Sequence, residues 1–115
     1  MTEAERHLPL RARLEARGHE LRALIEAGEK ADVPIAPDSS LGRLTRVDAL
    51  QGQQMAAALV QRNREELSRV ERALMRIESG DYGTCTRCGE DIAEARLNAV
   101  PDALLCLTCA ERPRR

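Results

Sequence analysis

The stretches Cys85-Thr86-Arg87-Cys88 and Cys106-Leu107-Thr108-Cys109, separated by residues 89–105, decide the fold of this chain. Two C-x-x-C pairs at this separation have the spacing of a four-cysteine zinc site. Tetrahedral Zn²⁺ with Zn–S bonds of about 2.3 Å holds its sulfurs ~3.8 Å apart, and two such turns bring four sulfurs to that separation. The chain has 4 cysteines, so this site uses all of them. The sequence therefore predicts one structural Zn²⁺ held by Cys85, Cys88, Cys106 and Cys109.

Residues beside the cysteines support a metal knuckle. Gly89 follows Cys88 directly, at a position where the backbone often needs a positive φ to turn its amides toward sulfur. Four thiolates and one Zn²⁺ sum to a charge of about −2. Nearby guanidinium groups are therefore favourable, and Arg87, Arg96 and Arg112 lie close to the ligands in sequence.

Three other uses of the cysteines are open. Two disulfides are possible, but the chain opens with charged residues and no apolar leader follows, which predicts a cytoplasmic protein. Persistent disulfides are rare in that compartment. A redox C-x-x-C pair is typical of a βαβ pattern, which the sequence does not show. Iron also binds four cysteines, and no feature of the sequence selects it over zinc.

The composition favours helices and argues against several functional classes. Tyr82 is the only aromatic residue among 115, so a large globular core is not expected. The formal net charge of −1 argues against a general polyanion binder. No apolar run approaches the ~20 residues of a membrane span. The sequence shows no nucleophile–base pair, phosphate-binding glycine loop or open metal position, so we do not expect an enzyme or a catalytic residue.

Two helical patterns precede the cysteines. The first, which we expect to begin at Pro9 and to end at Gly28, has Arg17 in the missing position of an apolar seam that Ile25 widens. The apolar members of that seam are Leu10, Leu14, Leu21 and Leu24. A connector rich in proline and serine follows over residues 29–40.

The second pattern predicts a longer helix over Ala49–Ser79, stopped by Gly80. Its seam keeps spacings of three and four throughout: Ala49, Gln53, Ala56, Val60, Asn63, Leu67, Val70, Leu74 and Ile77. A short helix over Leu107–Arg112 should carry Cys109 on its first turn. The predicted fold is mainly α: an antiparallel helical hairpin (a coiled coil) over residues 1–79 with its tip loop near 29–48, and a small C4 zinc-finger module with a short C-terminal helix and tail over 80–115.

Residues 77–92 (IESGDYGTCTRCGEDI), residues 95–101 (ARLNAVP) and the second C-x-x-C pair resemble the DksA/TraR zinc-finger family. The resemblance implies a bacterial transcription regulator that binds RNA polymerase directly and inserts a coiled-coil tip into its secondary channel. It implies no sequence-specific DNA contact and no membrane, and we expect a monomer. The alternative is a zinc-finger module that binds nucleic acid or another protein, for which the basic residues Arg112, Arg114 and Arg115 are the motivation.

The tip departs from the D-x-x-D-x-A pattern that this resemblance leads one to look for. The comparable stretch is Leu44-Thr45-Arg46-Val47-Asp48-Ala49, in which Asp48 is one residue out of phase. The candidate partner-binding residues are Arg43, Arg46, Asp48 and Ala49. For the two arginines the other interpretation is solvated loop charge. For Asp48 it is a helix N-terminal acid stabilised by the helix dipole.

Overall fold

This computed structural model describes residues 6–30 and 43–112, which contain four helices. They are α1 (Leu8–Lys30), α2 (Arg43–Ser79), α3 (Glu94–Ala99) and α4 (Leu107–Glu111). Within these ranges the only extended pairing is one antiparallel bridge between Thr84 and Asp91. The mainly α prediction is confirmed.

Helices α1 and α2 pack against each other as an antiparallel hairpin. The start of α1 meets the end of α2, where Arg11 pairs with Glu78 at 3.4 Å. Farther along α1, a Cβ placed on Gly28 would contact Val60, which lies near the middle of α2. These contacts run in opposite chain directions, so the predicted antiparallel coiled coil is confirmed.

The buried stripe of α1 differs from the predicted seam. Its buried residues are Leu10, Leu14, Gly18, Leu21 and Ile25. Leu24, which we expected in the seam, is 44% exposed. The steps of four, four, three and four place Gly18 rather than Arg17 against α2, where its Cβ position lies 3.7 Å from Val70 Cγ1. The placement of Arg17 and Leu24 on the seam was therefore wrong, and Ile25 belongs to it.

The helix ends also differ from the predicted ones. Helix α1 continues through Gly28 to Lys30, so this glycine does not stop the helix. Helix α2 begins at Arg43, six residues before Ala49. Its end at Ser79 is confirmed, since Gly80 follows with φ 85°. Residues 29–30 and 43–48, which we expected in the connector and tip loop, are helical, so that part of the prediction was wrong. Residues 1–5, 31–42 and 113–115, with the rest of the connector and with Arg114 and Arg115, lie outside the described residues.

The seam residues of α2 are more buried at the end near the finger than at the other end. Val70 and Ile77 are buried, Leu67 and Leu74 are partly buried, and Ala73 joins them although it was not predicted. Farther along, the two polar members, Gln53 and Asn63, are half-buried, as are Ala49 and Val60, whereas Ala56 is exposed. The buried part of the apolar stripe thus runs from Leu67 to Ile77, the end of α2 nearest the finger.

The finger packs on the base of the hairpin and shares its core. Tyr82, Ile92 and Leu97 join the same buried cluster as Leu10 and Leu14 of α1. Helix α3, which carries Leu97, was not predicted. No helix in residues 6–30 and 43–112 has the length and apolarity needed to cross a membrane.

Candidate metal centre and hairpin tip

The four cysteines lie together at the base of the hairpin. Their Sγ atoms are all within 4.8 Å of one another, and the Sγ atoms of Cys88 and Cys106 are 3.8 Å apart. A tetrahedral zinc ion with bonds of about 2.3 Å needs sulfurs ~3.8 Å apart, so the spacing fits this ion. The spacing inferred from the sequence is therefore matched by the fold.

Backbone amides face the sulfurs, as they do in metal knuckles. Arg87 N donates to Cys85 Sγ at 3.4 Å, and Glu90 N donates to Cys88 Sγ at 3.4 Å. In the second pair Cys109 N donates to Cys106 Sγ at 3.5 Å, which caps the start of α4. The positive φ expected at Gly89 is confirmed at 78°. Each donor stabilises negative charge on its sulfur and so favours the thiolate, which is the form of cysteine that binds metal.

Cys85 and Cys109 differ in how readily they ionise. Burial opposes ionisation of Cys85, but hydrogen bonds from the backbone of Cys106, Cys88 and Arg87 outweigh it and lower its pKa to about 6. Burial, together with hydrogen bonds to the other three cysteines, raises the pKa of Cys109 to about 12. Additional negative charge is thus disfavoured in this cluster. A divalent cation compensates that charge, so metal binding and loss of thiol protons are coupled.

The predicted arginines stabilise the second knuckle through its carbonyl groups. Arg87 donates to the carbonyl of Cys109 at 3.1 Å, and Arg96 donates to the carbonyl of Leu105 at 2.9 Å. Arg112 contributes its backbone N–H, which donates to Cys109 O at 3.3 Å. Two guanidinium groups therefore hold the backbone of the cysteine loop and place positive charge beside the cluster.

The donor set is that of a structural site. Cys85 and Cys109 are buried, Cys106 is half-buried and Cys88 is exposed. Four thiolates fill a tetrahedron and leave no open position for a substrate. Thr86 N donates to Leu104 O at 2.9 Å, which ties the first knuckle to the loop before the second. The geometry supports one structural zinc ion that clamps the two halves of the finger.

The candidate partner-binding residues lie at the far end of the hairpin. Arg46 and Asp48 are exposed on the first turns of α2, and Ala49 is half-buried. Arg43 is the first residue of α2, and its side chain lies outside the described part. From Ala49 to the end of α2 the helix runs roughly 45 Å at 1.5 Å per residue. The fold therefore separates these residues from the cysteines.

Two arginines that link finger and hairpin, and one tyrosine that braces the finger, were not predicted as site residues by sequence reasoning. Arg76 donates to the carbonyls of Asp81 and Thr84 at 3.0 and 2.9 Å, which fixes the turn after α2. Arg13 of α1 donates to Asn98 O at 2.7 Å. Tyr82 donates from its hydroxyl to Pro101 O at 2.8 Å. Its status as the only aromatic residue was the one signal in the sequence that marked it.

Comparison with known proteins places the chain in a family. A family model described as the prokaryotic dksA/traR C4-type zinc finger matches residues 80–115. The RNA polymerase-binding transcription factor DksA of Caulobacter vibrioides is 43% identical over 54 residues, which is 47% of this chain and 38% of that protein. Its namesake in Escherichia coli K12 is 36% identical over 63 residues, or 53% of this chain and 42% of that protein. The matches thus span less than half the length of these curated relatives.

A solved structure extends the likeness to the hairpin. Transcription factor DksA2 from Pseudomonas aeruginosa is similar with a TM-score of 0.72 and 31% identity, covering 90% of this chain and 78% of that one. The likeness therefore includes the long helix pair as well as the finger. Because the C4-type finger model matches the segment that carries all four cysteines, and the fold of finger and hairpin together is similar to that of DksA2, this chain belongs to the DksA/TraR family of C4 zinc-finger proteins.

Proposed function

We propose that this chain is a transcription regulator that binds RNA polymerase and inserts the far end of its hairpin into the secondary channel. The observation that carries the proposal is the three-dimensional likeness to transcription factor DksA2 over 90% of the chain. The curated relatives named as RNA polymerase-binding factors support the same partner. Action in the cytoplasm, as a monomer and without sequence-specific DNA contact, belongs to this proposal.

The shape of the molecule suits a probe that enters a channel. Its dimensions are 66 × 31 × 20 Å, so it is much longer than it is wide. Helix α2 continues from Val60 to Arg43, a further distance of about 25 Å beyond the contact with Gly28. We define residues 43–59 as the distal segment. A stiff helix anchored at one end transmits a fixed position to the other.

The two parts have different tasks in this proposal. Residues 1–79 form the arm, and residues 80–115 form the finger that anchors it. The finger is held by zinc with Cys85, Cys88, Cys106 and Cys109 as ligands. Its role is structural, because four thiolates leave no open coordination position.

The residues at the start of α2 are the ones that we expect to contact the polymerase. Arg46 and Asp48 are exposed at the start of α2, which leaves both side chains accessible to a partner. The stretch lacks the D-x-x-D-x-A pattern, since Leu44 and Val47 stand at its acidic positions. We therefore propose binding through Arg46 and Asp48, with Ala49 and Arg43 beside them.

A binding experiment with purified core RNA polymerase tests this function. The parent chain should bind at micromolar concentration or below, and Arg46→Ala and Asp48→Asn should each weaken binding by about 10-fold, equivalent to ~1.4 kcal/mol. Arg62→Ala is the matched control, because Arg62 is an exposed arginine of the same helix outside the tip. It should bind like the parent.

Photo-crosslinking decides the orientation. A crosslinker at position 46 or 48 should react with polymerase, whereas one at position 94 on the finger should not. Absence of parent binding, or crosslinks from the finger alone, would contradict the proposal. Salt-dependent binding to random duplex DNA in place of polymerase would favour a nucleic-acid module.

A further inference from the structure

Gly28 is a glycine that the helix itself does not require. It lies inside α1, which continues to Lys30, and it is not among the glycines with positive φ, which are Gly80, Gly83 and Gly89. A glycine inside a helix costs roughly 1 kcal/mol relative to alanine. Helix formation alone therefore gives no reason for a glycine at this position.

The space around Gly28 supplies that explanation. A Cβ built on this residue would lie 2.4 Å from Val60 Cγ2, far inside the contact distance of about 3.5–4.0 Å between carbon atoms. At Gly18 the corresponding Cβ would lie 3.7 Å from Val70 Cγ1, an ordinary contact. The Cβ of Val60 itself would be 3.9 Å away, so it is a methyl group of Val60 that occupies the space beside Gly28, next to the distal segment.

A side chain at position 28 would have to move the helices. Val60 is β-branched and has one strongly preferred χ1 rotamer in a helix, so its methyl groups do not turn aside freely. Restoring contact distance then requires a shift of just over 1 Å between the two backbones. Because the Gly18–Val70 contact lies about 15 Å away along the helices, that shift is a tilt of about 4°.

The distal segment amplifies this tilt. Arg43 lies about 40 Å along α2 from Val70, so a tilt of about 4° displaces the start of α2 by about 3 Å. We propose that Gly28 is a positioning residue: its missing side chain lets α1 and α2 meet at Val60 and thereby sets the direction of the distal segment. Its consequence for polymerase binding rests on the proposed function, but the geometric role does not.

The angle between α1 and the distal segment tests the geometric role. Residual dipolar couplings of backbone amides in zinc-loaded, full-length protein report this angle directly. Gly28→Ala should change it by about 4°. Gly28→Ala combined with Val60→Ala should return it to the parent value, because the second change removes the methyl groups that the new side chain meets.

Gly52→Ala is the matched control. Gly52 is also a helical glycine, but no described atom lies within 4 Å of a Cβ built on it. This variant should therefore leave the angle unchanged. An unchanged angle in Gly28→Ala would overturn the proposal. A double variant whose helix angle remains changed would also overturn it. If Gly28→Ala alone fails to fold, a double variant that also fails to fold would overturn it.

Polymerase affinity, measured where circular dichroism shows every variant fully folded, tests the consequence. Gly28→Ala should bind about 10-fold more weakly than the parent, and the double variant should recover most of that loss. Affinity equal to that of the parent would overturn the role of Gly28 in recognition, because a residue that only stabilises the hairpin leaves the folded protein's binding unchanged. If the parent itself does not bind, the proposed function fails, and the angle still decides the positioning role.

Discussion

At the scale of single residues, Arg17 lies beside the buried seam and joins the two helices by an ion pair. Its guanidinium donates to both carboxylate oxygens of Glu66, with Nε–Oε2 at 2.6 Å and Nη2–Oε1 at 2.8 Å. This two-pronged geometry makes arginine–carboxylate pairs stronger than single contacts. It also raises the pKa of Arg17 and lowers that of Glu66, chiefly through the hydrogen bond between them. The pair therefore fixes the register of the two helices at their edge.

Removing the Glu66 charge should destabilise the protein in a pH-dependent way. Because the pKa of Glu66 is lower in the folded state, its contribution is present above the unfolded value of about 4.3 and is lost as the pH falls through the folded value. Glu66→Gln should lower the free energy of unfolding by about 1 kcal/mol at neutral pH. Denaturant unfolding at neutral and acidic pH measures both effects.

Glu20→Gln is the control for this pair. Glu20 also accepts a hydrogen bond from Arg17, but its side chain is 60% exposed, so solvent screens the interaction. This variant should change stability by only a few tenths of a kcal/mol, roughly the value for exposed pairs. Equal effects of the two substitutions, or a Glu66→Gln effect that persists in acid, would show that the pair does not have the strength expected from its geometry.

Tyr82 provides a second residue-scale prediction, because it is the only tyrosine and the chain has no tryptophan. Burial, reinforced by the nearby Asp102 carboxylate and opposed by Arg13, raises its pKa to about 12. Neutral Tyr82 therefore stabilises the fold fully below the unfolded pKa of about 10, and that contribution is lost as the pH rises through 12. The ultraviolet absorbance of phenolate should follow this one group. A native-state pKa near the unfolded value would contradict the buried position.

At the scale of elements, α1 and α2 show where pattern and packing agree. The leucine spacing located both helices because an apolar stripe needs a partner surface. The spacing did not choose between Arg17 and Gly18, which are adjacent in sequence and about 100° apart around the helix. Contact with Val70 made that choice. The end of α2 was predictable, because only glycine accepts the positive φ found at Gly80 without strain.

The same substitution at two glycines should have opposite effects on stability. Gly80→Ala should destabilise by about 1 kcal/mol, because φ is 85° while no described atom lies within 4 Å of the new Cβ, so the cost is conformational. Gly52→Ala should stabilise by about 0.5–1 kcal/mol, since it improves helix propensity without a clash. Thermal melting of the zinc-loaded proteins measures both. Melting shifts of the same sign would contradict the assigned backbone conformations.

At the scale of the whole molecule, finger and hairpin are parts of one core. Leu10, Leu14 and Ile77 of the helices join Tyr82 and Leu97 of the finger in a single buried cluster. The shared hydrogen bonds of Arg13 and Arg76 reinforce this junction. The arm is therefore held at its base by the same residues that surround the cysteines.

Metal removal should weaken the hairpin as well as the finger. Structural zinc contributes an apparent ~10–16 kcal/mol in small fingers, which exceeds what burial supplies in a module of this size. A strong chelator should abolish amide protection in residues 80–112 and lower the melting temperature of the helices, because they lose part of their core. Circular dichroism and hydrogen exchange measure the two effects. Zinc should restore both, and magnesium should not.

Chelation that leaves the spectrum and the melting temperature unchanged would contradict a structural metal. Loss of the finger with no change in the helices would show instead that the hairpin folds without it. The shared cluster of Leu10, Leu14, Tyr82 and Leu97 is the reason to expect the coupled result.

The sequence by itself determined the metal centre, the helical hairpin and the stop at Gly80. Each of these follows from local chemistry: cysteine spacing sets the sulfur geometry, heptad spacing sets an apolar face, and a positive φ selects glycine. Tertiary structure alone decided the fit between the helices: that Gly18 rather than Arg17 faces Val70, that α1 continues past Gly28, and that Tyr82 closes onto Pro101. Those outcomes depend on which atoms of a distant segment fill the space beside each residue. A local sequence pattern does not contain that information.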